Sequence, residues 1–317
     1  MYYPYLRGRQ FELIALREYA LQRGDKNNIV PILEPVKNTF NSMNLALPKL
    51  IEGNVKFALI LNPQVGDFSE MQDYEKALNI KSELEDKLID QSKWIPAFVI
   101  NNNYTNILKL IEDFGFDHVM VICTEITNTS ASHFDDLVLS PKVKYIVTKE
   151  NKTLKRRLKG LGKEIIRLDD KFNAQKRNSD YLVMPEERFS DEHIFYIEEG
   201  YSGFSDYTVL VSDFTEGGAA PFAVAIHWTY QKANNEVWIR HFTSKTNDDR
   251  SNIQGKFAEA AKKAVAFFDK MDIHNCASEE LRKYYNDGDG TYPGLGMVKK
   301  ISIKNHLELI NGLLTEE

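Results

Sequence analysis

Short, nearly continuous apolar runs recur through the first half of the chain at 29–33, 57–61, 94–100, 119–123, 143–147 and 164–168. Uninterrupted apolar character over so few residues marks strands covered on both faces, whereas a surface strand alternates. Stretches of helical length separate the runs at 40–52, 70–91, 103–114 and 151–160, with a weaker one at 132–139. A further helix, 8–23, precedes the first run and is closed by Gly24. Strands alternating with helices predict a parallel sheet with right-handed crossovers. The expected fold is α/β, a (β/α) TIM-barrel-like protein with its working site at the carboxyl ends of the strands.

Beyond residue 170 the pattern changes. Residues 171–206 are polar and aromatic, with a short helix expected at 190–198, ended by Gly200. Three β-rich segments follow at 207–211, 222–230 and 237–243, the last two joined as a hairpin through a short polar loop. Residues 212–221 are too few for a helical crossover, so the eighth βα unit is expected to be irregular. Helices are predicted at 251–271, 277–286 and 300–314. The chain reads as a single barrel-like domain of three parts: regular βα units (1–170), a β-rich portion (171–250) and C-terminal helices (251–317).

Composition narrows the partners. Hydrophobic residues make up 43% and charged residues 27%, as in a globular protein with a substantial core. A net charge of −6 argues against a nucleic-acid coat or a membrane-surface protein. No apolar run approaches the ~20 residues needed to span a bilayer, and the opening carries no apolar signal region, so a cytoplasmic protein is expected. Cys123 and Cys276 fit a reducing compartment, and neither belongs to a Cys-x-x-Cys knuckle, so no metal site is assigned. The cofactor is unknown at this stage.

The opening YYPYLRGRQFELIALRE, then VPILEPVK, GFSDYTVL, APFAVAIHWTY, EVWIRHF and GKFAEA, resemble the "beta protein" family of bacterial and phage proteins. The matching stretches run in order from Tyr2 to about Ala260. The resemblance implies a barrel and an association with phage–host conflict, and transfers no catalytic residue.

Candidate chemistry lies first at the strand ends. Each run stops at a polar residue: Glu34, Asn62, Asn101, Glu125, Thr148 or Lys149, and Asp169 or Asp170. A barrel mouth gathers such ends, although polar residues are also common wherever strands stop. Glu34 and Lys37, in one short loop, can act as an acid–base pair, clamp an anion, or form a plain ion pair. Arg7, before the first helix, can aim at an anionic ligand. Asp206, in Gly-Phe-Ser-Asp-Tyr ahead of the expected strand at 207–211, is either a site carboxylate beside an amide nest or a turn residue bonding its own backbone.

The hairpin adds His227, Arg240 and His241. A five-residue loop pairing Tyr230 with Glu236 puts the two histidines on one face; a four-residue loop sets His227 near Arg240. Histidine as acid or base and arginine as a bidentate clamp suit phosphate chemistry, while a strand histidine can equally be a satisfied core residue. The basic stretch KTLKRRLKGLGK reads as an amphipathic surface helix before a nucleic-acid contact, and no P-loop, EF-hand or nucleophile-elbow motif occurs.

Two functions follow. One is an enzyme or sensor acting on a phosphorylated small molecule or nucleotide, with Glu34, Lys37, Asp206, His227 and His241 as catalytic candidates and Arg7, Asn62 and Arg240 as ligand contacts. The other is a non-catalytic interaction or assembly subunit with a protein partner or a second copy of the chain. A nucleic-acid partner is disfavoured by charge.

Overall fold

In the computed structural model, which describes residues 1–23, 26–124, 132–217, 220–286 and 290–315, the six apolar runs become neighbouring strands of one parallel sheet. The order of elements is β1 (Tyr5–Leu6), α1 (Gln10–Arg23), β2 (Ile32–Leu33), α2 (Asn41–Glu52), β3 (Phe57–Ile60), α3 (Asp73–Glu83), β4 (Trp94–Val99) and α4 (Tyr104–Asp113). It continues with β5 (Val119–Cys123), α5 (Ser132–Leu139), β6 (Val143–Thr148), α6 (Lys152–Leu158) and β7 (Glu164–Leu168). An excursion containing β8 (Glu186–Ser190) and α7 (Glu192–Phe195) then leads to β9 (Gly203–Ser205).

The sheet order β1-β2-β3-β4-β5-β6-β7-β9 nearly closes on itself. Tyr2 bridges Phe204, and the Tyr3 and Tyr5 amides donate to the Phe204 and Asp206 carbonyls, each at 2.8 Å. This closure demands a glycine. A Cβ at Gly203 would sit 2.6 Å from the Tyr3 ring and 2.8 Å from the Met1 carbonyl oxygen, closer than packed atoms approach.

Alternation along each strand divides two cores. Tyr3, Tyr5, Ile32, Ala58, Ile60, Ile95, Ala97, Met120, Ile122, Val147, Ile166 and Leu168 fill the barrel. Their neighbours Tyr2, Leu6, Leu33, Leu59, Phe98, Val121 and Cys123 face the helical ring. Two buried faces account for the unbroken apolar runs.

Outside the barrel lies a second, antiparallel sheet of order β10-β11-β8, with β10 (Ala225–Gln231) and β11 (Val237–Thr243) forming the hairpin. Its outer face (Val224, Ile226, Trp228, Phe242) packs on α8 (Ile253–Met271) and α9 (Cys276–Tyr285). The last helix, α10 (Leu295–Thr315), runs alongside α1 in the same direction. Lys300 and Lys304 meet Glu18 at 2.9 and 3.1 Å, and Asn311 donates to the Lys26 carbonyl at 3.0 Å. Helix α10 therefore takes the eighth place in the helical ring, separated from β9 by the hairpin β10–β11 and helices α8 and α9.

Three sequence expectations change. A strand, β1, comes before the first helix, which the apolar pattern places ahead of the first strand. The segment 207–211 is turn, while Gly203–Ser205 is the strand, because pairing with both β7 and the chain start uses these residues. The segment 186–190, which is polar, pairs with β11 as an edge strand. Gly24, Glu125 and part of the Asn286–Gly296 loop lie outside the described residues. Among the described residues no helix is long and apolar enough to cross a membrane.

Candidate functional site

Continuing the alternation past the strand ends accounts for six polar residues of the barrel mouth, with Asn62, two beyond the inward Ile60, as the exception. Tyr5 and Leu168 point inward, so Arg7 and Asp170, two residues on, point inward as well. The same count brings in Glu34 after Ile32, Asn101 after Val99, Thr124 after Ile122 and Lys149 after Val147. All six line a single cavity of about 490 Å³ at the carboxyl ends of the strands. Tyr5, Leu168 and Tyr207 line it from the barrel core.

Within the cavity, Glu34 is 1% exposed and its carboxylate is fully engaged. One oxygen accepts from Tyr5 Oη at 2.7 Å and from the Arg7 guanidinium; the other accepts from the Gln64 amide at 3.0 Å. Burial, and then the Glu34 charge, push the Tyr5 phenol well above its usual range, so it stays protonated as a donor. The Arg7 guanidinium carbon lies 5.1 Å from the Tyr5 ring centroid and 5.7 Å from that of Tyr207. Glu34 is thus the fixed counter-ion that orients Arg7, rather than a free base. Lys149 is exposed and has no ion-pair partner among the described residues.

A strap, residues 212–217, crosses beside this mouth. Arg7 donates to the Ser212 carbonyl, and Arg9 donates to the Thr215 carbonyl with its guanidinium 4.7 Å from the Phe214 ring centroid. Lys37 reaches Glu216 at 2.7 Å and Asp67 at 3.1 Å. Phe214 borders both the mouth and a neighbouring chamber of about 360 Å³ lined by Arg9, Lys37 and Thr39. Lys37 is therefore the strap's anchor, not the acid–base partner of Glu34.

Five sequence candidates fall elsewhere. Asn62 is fully buried and clamps β4: its amide donates to the Val99 carbonyl at 2.9 Å and its oxygen accepts from the Val99 amide at 2.8 Å. Asp206 follows an outward Phe204 by two residues, so it faces the helices. It accepts from Tyr2 Oη at 2.5 Å and from its own turn's Thr208 amide at 2.7 Å, with His306 Nε2 at 3.7 Å. The turn reading of Asp206 therefore holds, and the amides of Gly203–Ser205 belong to a strand rather than an anion nest.

The hairpin has a five-residue loop, 232–236, with Gln231 opposite Val237, which places His227 directly across from His241. Their Nδ1 atoms are 2.8 Å apart. Phe172 packs 4.9 Å from the His227 ring, Tyr181 packs 4.3 Å from the His241 ring, and Glu187 lies 3.4 Å from His241 Nε2. Burial pushes His227 down to about 3, with His241 and Lys299 adding to the effect. Burial also lowers His241, against the opposing pull of Glu187. Neither lines the mouth. Arg240 projects from the other face, bonded to Glu186 at 3.0 Å and 4.8 Å from the Phe267 ring centroid. Glu34, Asn62, His227 and Arg240 or His241 therefore do not line one pocket, because the hairpin packs outside the barrel.

Sequence reasoning passed over Gln64, Tyr207 and Ser212, which line the mouth from loops. It left Lys149 undecided against Thr148, and Asp170 undecided against Asp169. Inward parity separates these pairs once the structure fixes which alternate faces the barrel. Among the described residues no group of three or more His, Cys, Asp or Glu side chains is placed to hold a metal ion. No family model and no curated protein matches the chain.

Proposed function

We propose that the barrel mouth binds a small anionic molecule, a sugar phosphate or nucleotide, which the protein converts or senses. One observation carries this reading: the inward-pointing residues of six strand ends ring a cavity of about 490 Å³ in which Lys149 is a cation without an ion-pair partner among the described residues and Arg7 is held by Glu34, beside the carboxylates of Asp170 and Asp213. Such a volume suits a small ligand, and barrels place their chemistry at this end. Arg7, prearranged by Glu34, offers the planar guanidinium that matches a phosphate. Lys149 supplies a mobile point charge, while Asn101, Gln64 and Asp170 supply hydrogen bonds for hydroxyl groups. The role in phage–host conflict that the family resemblance implies would make this ligand a signal or a metabolite of infection.

A thermal-shift screen of nucleotides and sugar phosphates tests the proposal. A ligand that binds only the folded protein stabilises it by about 2.7 kcal/mol at 100 times its Kd. The expected result is a hit lost in Lys149→Ala and weakened in Arg7→Lys, with both variants still folded. A flat screen accompanied by a stably co-purifying protein would instead favour an interaction subunit.

A further inference from the structure

The satellite sheet carries a second concavity that shares no residue with the barrel mouth. It is a groove of about 360 Å³ between α8 and the segment around Leu182–Pro185, floored by the end of β11. Lys263, Phe267 and Lys270 are spaced along one face of α8 and all line it. Arg240 enters from β11.

Three cations converge here in a chain whose net charge is −6. The nearby carboxylates are already engaged. Glu186 accepts from Tyr230, Lys232 and Arg240, and Glu259 accepts from the Lys245 and Thr246 amides and the Thr246 hydroxyl. Lys263 donates to the Thr243 carbonyl, which carries no full charge, and Lys270 has no ion-pair partner among the described residues. Burial, then Lys245, lowers the Lys263 pKa against the opposing pull of Glu259, and a bound anion would add to that pull. Thr243 closes the floor with its backbone, its side chain lying on the sheet face of His241, away from α8. The rest of the lining is largely apolar, Leu182, Pro185, Phe242, Ala266 and Phe267, with the Tyr181 and His241 rings beside them.

We propose that this groove is a binding site for a small amphipathic anion, a carboxylate on an apolar chain or ring. The carboxylate lies between Lys263 and Lys270, and the apolar body lies against Phe267, Leu182 and Pro185. A highly charged, fully polar ligand such as a nucleoside triphosphate would leave this apolar wall unused. The site is independent of the mouth and of its proposed ligand.

Titration calorimetry with octanoate and with phenylacetate tests the assignment, with octanol and 2-phenylethanol as neutral counterparts. Saturable binding of at least one acid, without binding of its alcohol, is expected. Lys270→Glu, on an exposed position that leaves the fold intact, weakens binding about tenfold, the effect of losing a charged hydrogen bond and adding repulsion. Lys263→Gln weakens it similarly, and Lys149→Ala in the mouth leaves it unchanged. The assignment is overturned if neither acid saturates at millimolar concentration, if the alcohols bind equally well, or if Lys149→Ala abolishes binding while Lys270→Glu does not.

Discussion

At the scale of single residues, position parity separates function from structure more sharply than residue type does. Glu34 and Asp206 are both buried carboxylates at strand ends, and both accept from a tyrosine hydroxyl. Glu34 faces the cavity; Asp206 faces the helices and joins β9 to α10 through Tyr2 and His306, whose Nε2 lies 3.0 Å from Tyr2 Oη. Removing Asp206 leaves the Tyr2 hydroxyl and the Thr208 amide without their acceptor, at about 1–3 kcal/mol. The expected pattern is crossed. In urea denaturation Asp206→Ala loses about that much stability and keeps the mouth's ligand affinity, whereas Lys149→Ala keeps stability and loses affinity. Equal losses of affinity in both would place Asp206 in the site after all. Part of this was legible from the chain, since the residue two beyond an inward strand position lines the mouth at six strand ends, though not at Asn62. What the sequence did not reveal is which alternate is inward, because runs apolar on both faces carry no phase of their own.

At the scale of elements, strong patterns were legible and short ones were not. The runs at 119–123 and 164–168 match β5 and β7, and the hairpin strand at 237–243 matches β11. Strands β1 and β9, two and three residues long, are fixed by barrel closure rather than by their own apolar pattern. The hairpin register aligned His227 with His241, and that pair has a measurable consequence. Phe172, Tyr181, Glu187 of β8 and Lys299 of α10 surround it. Both imidazoles have folded-state pKa values below the ordinary ~6.5, so protonation favours the unfolded chain. Their contribution is fully present above about pH 6.5 and is lost as pH falls from there towards 3. Between about pH 7 and 5, wild-type stability should therefore fall more steeply than that of His227→Asn, by up to about 1.4 kcal/mol per pH unit at the lower end. Denaturant midpoints across that range measure the difference. Parallel curves would mean that the pair is not held neutral by burial.

At the scale of the whole molecule, the question is whether the barrel and the satellite sheet are one cooperative unit. A chain of 317 residues is large enough for its parts to unfold separately. The contacts argue otherwise. Val237 and Ile239 of the satellite sheet belong to the same apolar cluster as the barrel's outer face. Helix α10 packs on α1 and β10 together, its His306 lying between Tyr2 of the barrel and Thr229 of the satellite sheet, the latter at 3.1 Å. Because α10 lies beside α1, the helical ring stays open there until the hairpin, α8 and α9 have been threaded past. Losing either part would expose buried polar groups of the other. The three tryptophans allow a direct test, since Trp94 lies in β4 while Trp228 and Trp238 lie in β10 and β11. Variants retaining only Trp94, or only Trp228, should report the same denaturation midpoint and slope, and far-UV circular dichroism should coincide with both. Separate midpoints, with the Trp228 signal lost first, would make the satellite sheet an appendage and the barrel stable without it.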